Sequence, residues 1–229
     1  MNYISLGFDC SPATALKNLN LRTCSLPFDW VQTTPNQLYH CIKEDFSRFH
    51  TNLRLSSNKR RILDDYGIEY PHDYPTQKIN NKNDYTDARN EDLIVDNWEE
   101  FVSEVSLKYK RRISRIITIF NEQTPLTILY RGNTNYANQI KTLLQDKFKR
   151  KNVYFLVATS EKSSPYKDIF VCNPEKNKEW NDELIWKEGI DELNTYILQK
   201  INFENKQNNT MFLLSKNKRR SAISMFYIT

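Results

Sequence analysis

The sequence is short of the residues that break or bend a chain. Only 4 glycines and 8 prolines occur among 229 residues, too few for a low-complexity or linker-dominated protein. Histidine is scarcer still, at 3 copies. The 4 cysteines, Cys10, Cys24, Cys41 and Cys172, form no Cys-x-x-Cys pair and no zinc-type spacing with histidine. A disulfide framework is therefore not expected, and no metal or cofactor is assigned. No run reaches the ~18 apolar residues that span a bilayer. The N-terminus has no basic segment followed by an apolar stretch, so no secretory leader is expected. These absences together predict a cytoplasmic protein with reduced thiols and no membrane partner.

What is present is a moderate apolar inventory, 39% hydrophobic and 13% aromatic. That is enough for one chain of this length to bury a core without staples, and a single domain over 1–229 is expected. The balance of 33 basic and 28 acidic residues leaves a net charge of +5, which tolerates anionic partners without demanding them. The basic clusters at 149–151 and 216–220 carry no aromatic-interleaved recognition motif, so a nucleic-acid partner is not expected.

Apolar runs alternate with helical periodicity along the chain. Tyr3 to Leu6 reads as a strand that stops at Gly7, and Pro12 suits the first turn of a following helix. A second helix is expected from Thr34 to Phe49, and a long one from about Val95 to Phe120. Leu126 to Tyr130, Val153 to Ala158 and Ile169 to Cys172 read as strands, with Tyr136 to Phe148 and Leu184 to Ile201 as helices. Residues 76–92, rich in Asn, Asp and Lys, read as a mobile surface loop. Thr210 to Leu214 and Ala222 to Ile228 read as a closing hairpin around a basic tip. This order predicts an α/β fold, a mainly parallel sheet flanked by helices with a C-terminal antiparallel hairpin.

Chemistry concentrates at the first strand–helix junction. Cys10 opens a helix, where partial positive charge and free N–H groups favour a thiolate and would lower its pKa. The same N–H groups can hold an oxyanion. His72 lies in Pro71-His72-Asp73-Tyr74-Pro75, whose prolines keep the backbone extended, and it is the candidate general base. Asp73 points to the opposite face of such a segment, so Asp29, in the Phe28-Asp29-Trp30 turn, is the better orienter or a substrate contact. Trp30 joins the candidate substrate-binding set. Arg111 and Arg115 share a helix face, and Arg131 follows a strand end where α/β proteins gather ligand contacts. Together they would bind an acidic group. His40 and His50 read as packing or surface residues. Cys24, Cys41 and Cys172 read as core or loop thiols.

The run Ile4-Ser5-Leu6-Gly7-Phe8-Asp9-Cys10-Ser11-Pro12-Ala13, followed by Leu21-Arg22-Thr23-Cys24-Ser25-Leu26-Pro27-Phe28-Asp29-Trp30, resembles the signature of a family described as papain-like cysteine peptidases. That family is of unassigned function and occurs in bacteria and large DNA viruses. The resemblance extends to Pro71-His72-Asp73, to Tyr109, Arg111, Arg112, Ile113 and Arg115, and to Arg131. It is specific over 4–30, thinner over 71–131, and fades in the last hundred residues, where Trp180 and Trp186 are the remaining points of likeness. It implies Cys10 as nucleophile and His72 as base, and it raises a papain-like α+β core as the alternative fold.

The expected function is a cysteine-nucleophile hydrolase, either a peptidase or an acyl hydrolase or transferase. Cys10 would attack an acyl carbon, His72 would carry the proton, Asp29 or Asp73 would orient the imidazole, and the substrate would carry an acidic group. The alternative is a non-catalytic module whose basic rim holds an anionic glycan, a nucleotide-sugar or a protein tail.

Overall fold

In the computed structural model, residues 1–77, 92–173 and 183–225 are described, with side chains of the final helix described over 184–207. The chain divides into two units, Met1–Gly189 and Ile190–Thr229. The first holds the sheet. Strand β1 (Asn2–Leu6) pairs with β6 (Leu126–Arg131), β6 with β7 (Val153–Ala158), and β7 with β8 (Ile169–Cys172), every pair parallel. The register places Leu6 beside Tyr130 and Arg131 beside Ala158. All six residues of β7 are buried, the expected reading for a continuous apolar strand covered on both faces. The sheet is thus parallel and α/β, and the α+β alternative with an antiparallel core does not describe it.

Alternation along the strands divides the core. Ile4, Leu6, Ile128, Tyr130, Phe155 and Val157 belong to one large apolar cluster. Leu129, Tyr154 and Leu156, at the intervening positions, are buried outside it. Helix α1 (Ser11–Asn18) packs on β1 and β6. Helix α4 (Thr134–Phe148) packs on β7 and β8, and touches both α2 (Pro35–Lys43) and α3 (Val102–Asn121). Small antiparallel pairs, β2 (Arg54–Leu55) with β3 (Ile62–Leu63) and β4 (Thr76–Gln77) with β5 (Leu93–Ile94), edge the intervening segment. Residues 76 and 77 of the expected loop are therefore strand, and 78–91 lie outside the described residues.

Two expectations about helices are corrected. Helix α2 begins as its Thr34–Gln37 capping box and Pro35 dictate, but it ends at Lys43 rather than near Phe49. Asp45 and Phe46 turn left-handed, with φ of 54° and 60°, which swings Phe46 and Phe49 against Phe28 at ring separations of 5.7 and 5.8 Å. Packing of three aromatic rings outweighs continuation of the stripe. The expected C-terminal hairpin is absent as well. Helix α5 runs unbroken over Glu183–Met225, taking in both 210–214 and the described part of 222–228. No glycine or proline follows Gly189, so nothing stops the helix, and the basic tip lacks the glycine that a tight hairpin favours. Trp180 lies outside the described residues, whereas Trp186 is buried within α5. No helix among the described residues is long and apolar enough to cross a membrane.

One glycine sets where β1 must stop. A Cβ at Gly7 would stand 2.8 Å from the Phe28 carbonyl oxygen and 3.2 Å from that of Asp9, both of them backbone atoms. Gly7→Ala is expected to cost about 1–3 kcal/mol through overpacking, read as a lower urea midpoint at unchanged m-value.

Candidate active site

The site is built on the junction between β1 and α1. The Gly7 carbonyl accepts a hydrogen bond from the Thr33 hydroxyl, and the Thr33 amide donates to Phe8 O at 3.3 Å. This lays the chain after Trp30 alongside the Cys10 loop. The other side of that loop is held by Asp29, only 2% exposed. Its Oδ1 accepts from the Ser5 hydroxyl at 2.6 Å, and its Oδ2 accepts from Arg22 Nη2 at 2.6 Å and the Leu26 amide at 2.8 Å. A buried carboxylate with both oxygens engaged is an architectural group. Asp29 orients the turn that carries Trp30, and it is not among the residues lining the Cys10 cleft.

Cys10 caps α1 with its backbone, accepting the first helical bond from the Thr14 amide at 2.9 Å. Its thiol is half-buried. The residue before it takes the position an anion would occupy at a helix start. Asp9 Oδ1 accepts from the Ser11 amide at 2.9 Å, while Oδ2 accepts from Arg131 Nη1 at 2.7 Å. The expectation that the helix start lowers the thiol pKa is corrected by this surrounding. Burial pushes the Cys10 thiol above its ordinary value of 9.0, the Asp9 charge pushes the same way, and a backbone hydrogen bond and Arg131 oppose both. Desolvation and a neighbouring carboxylate outweigh the helix start here.

Cys10 and His72 meet in one cleft. Asp9, Cys10, Trp30, Val31, Gln32, Pro71 and His72 line a space of about 40 Å³. A water needs roughly 10–15 Å³ of such space, so the cleft holds no more than a few. The Trp30 and His72 rings lie edge to face at 6.5 Å. His72 itself is exposed. The segment reaches the cleft because Glu69 bridges Gln32 through reciprocal backbone bonds of 3.0 Å.

Beyond His72 the segment is anchored from below. Asp73 is ion-paired with Lys108 Nζ and accepts from the Tyr109 hydroxyl at 2.6 Å. It therefore faces α3. The Tyr74 hydroxyl meets His50 Nε2 at 2.8 Å, and His50 Nδ1 meets the Ser106 hydroxyl at 3.0 Å. Close by, Asp64 accepts from the amides of His50, Tyr66 and Ile68 and from the Tyr70 hydroxyl. His50 is thus a buried hub holding Tyr74, two residues from His72. The sequence marks it only as a histidine near an apolar stripe.

The arginines are dispersed. Arg131 is joined to Asp9, beside the cleft. Arg115 Nη1 donates to Ser25 O at 3.3 Å and lines a separate cavity next to Cys24. Arg111 is exposed on α3 and lines neither cavity. The structure does not bring the three together, so the expected shared site for an acidic group is not assembled. Trp30 does reach the cleft, with the Arg22 guanidinium 5.6 Å from its ring centre. Sequence reasoning missed Asp9 and Gln32. The Asp-x-Ser spacing before Pro12 signals Asp9 as a local helix-start acceptor, whereas nothing local marks Gln32.

A family model described as "Putative papain-like cysteine peptidase (DUF1796)" matches residues 1–160. "Uncharacterized protein R408" of Acanthamoeba polyphaga mimivirus is 33% identical over 97 residues, covering 33% of this chain and 44% of that protein. The match thus spans less than half of that relative's length. No solved structure matches.

Burial of the His50 ring lowers its pKa to about 4 from an ordinary 6.5. The unfolded chain then binds the proton at higher pH than the folded one, so this residue's contribution to stability is full above 6.5 and falls as pH drops towards 4. The His50 ring signals are expected to titrate near pH 4 by NMR. The stability of the wild type relative to His50→Gln should decline between pH 6.5 and 4 by on the order of 2–4 kcal/mol. Titration near 6.5 would contradict the burial argument.

Proposed function

The chain belongs to the family described as papain-like cysteine peptidases, and from that membership we propose that it is an acyl hydrolase in which Cys10 is the nucleophile and His72 the general base. The observation that carries this reading is the cleft that Cys10 and His72 line together. With the thiol pKa raised, the resting pair is a neutral thiol and its base rather than a preformed ion pair. As an acyl carbon enters, the Cys10 proton passes to His72 and the sulfur–carbon bond forms. His72 then gives that proton to the leaving group as the bond to it breaks. Water, deprotonated by His72, cleaves the thioester and restores the thiol.

The oxyanion needs donors beside the sulfur. Gln32 lines the same cleft, and its side-chain amide would supply N–H groups of the right type. Asp9 and Arg131 set the field around the sulfur. Their ion pair fixes the helix start, and Arg131 partly offsets the repulsion that Asp9 exerts on a thiolate.

Iodoacetamide labelling of Cys10, followed by peptide mass spectrometry, tests this. Labelling should be lost in Cys10→Ala at that peptide alone. In the wild type its rate should keep rising with pH through 9 rather than level off near neutrality. Asp9→Asn keeps the acceptor for the Ser11 amide and removes the repelling charge, so the thiol pKa should fall and labelling at pH 8 should be several-fold faster. An Asp9→Asn rate equal to or below that of the wild type would contradict the electrostatic account.

A further inference from the structure

We propose that the cavity between His72 and α3 is the substrate subsite next to the scissile bond, and that it takes a positively charged side chain on an apolar stem, a lysine- or arginine-like group. This inference rests on the Cys10–His72 reading, because His72 lines both this cavity and the Cys10 cleft. The cavity measures about 340 Å³, at the small end of the range for ligand sites, roughly 300–1,000 Å³.

Its walls are of two kinds. Phe101 and Val105, from the start of α3 and the turn before it, together with Pro75 and the Tyr74 ring, form an apolar sleeve. Val105 and Tyr74 are 4% and 5% exposed, so the sleeve is backed by core. An alkyl stem of three or four carbons is what such a sleeve accommodates.

The charges favour a cation at the end of that stem. Lys108 also lines the cavity, but its ammonium is bound to Asp73, whose second oxygen accepts from Tyr109. That pair is electrically closed, and an incoming carboxylate would have to displace a buried acid to reach Lys108. Glu104 is the remaining charge. It is exposed, lines the cavity, and among the described residues makes no ion pair. It stands in the first turn of α3, where a carboxylate is held favourably. Asp73, Glu104 and Lys108 sum to one uncompensated negative charge. The acidic substrate expected from the arginines is thereby replaced, since Arg131 is held by Asp9 and neither Arg111 nor Arg115 lines this space.

The test uses the full chain and three Nα-acyl amino-acid chloromethyl ketones with side chains of lysine, norleucine and glutamate. Cys10 alkylation is followed by peptide mass spectrometry. Each rate is divided by the iodoacetamide rate of the same variant, which removes differences in thiol reactivity. The lysine reagent should exceed norleucine by roughly two- to fivefold, as one exposed ion pair allows, and glutamate should be slowest. Glu104→Gln should bring the lysine-to-norleucine ratio close to one, and Glu104→Lys should place glutamate above lysine. Equal normalised rates for the three reagents, or a preference for glutamate in the wild type, overturn the subsite while leaving Cys10 as nucleophile. Failure of every reagent, iodoacetamide included, to modify Cys10 overturns the nucleophile reading and the subsite with it.

Discussion

The buried carboxylate of Asp29 is the contact on which the rest of the site depends. It lies between Ser5 on β1 and Arg22 beyond α1, and it also takes the Leu26 amide. Through it, the loop over residues 22–30 is fastened to the strand that delivers Cys10. Such a group is strongly favourable only with all its partners in place, because a lone buried charge is costly. Gly7 complements it from the other side by letting the Phe28 carbonyl approach the backbone. One clamp therefore sets two walls of the cleft, the Asp9–Cys10 turn and the Trp30–Gln32 segment.

The third wall comes from the Pro71–Tyr74 segment, and its anchor is different in kind. Asp73 is tied to Lys108 and Tyr109, and Tyr74 to His50. Burial in a mixed aromatic and polar layer keeps the His50 imidazole neutral. A neutral ring can donate to one of its two hydroxyl neighbours and accept from the other. His72 is left at the surface between the small cleft and the larger cavity. An exposed imidazole on the same cleft as a half-buried thiol, with room for few waters, suits the proposed proton transfer, in which the proton moves only when substrate arrives.

Much of the architecture was legible in the sequence, and the reason is periodicity. β7 and β8 have the bounds their apolar runs indicate, and β1, β6 and α4 differ by one or two residues at an end. What escaped depends on contacts distant in sequence. The early end of α2 follows from Phe46 and Phe49 packing on Phe28, which no local pattern records. The C-terminal strands were read from short apolar runs that serve a helix equally well. At the site, Cys10 and His72 stand out as an opening thiol and a rigid histidine segment. The electrostatics do not, because the helix start is visible locally whereas burial and the Asp9–Arg131 geometry are not. Asp29 was legible as special but not as structural, since the same residue type serves a clamp and a catalytic dyad.

The most direct test of a shared Cys10–His72 cleft is intact-mass and peptide analysis after a brief exposure to p-nitrophenyl acetate. The account predicts a single acetyl group on Cys10 that disappears with time in the wild type, persists in His72→Ala and never forms in Cys10→Ala. Acetylation that bypasses Cys10, or an adduct that decays equally fast without the His72 ring, would contradict it.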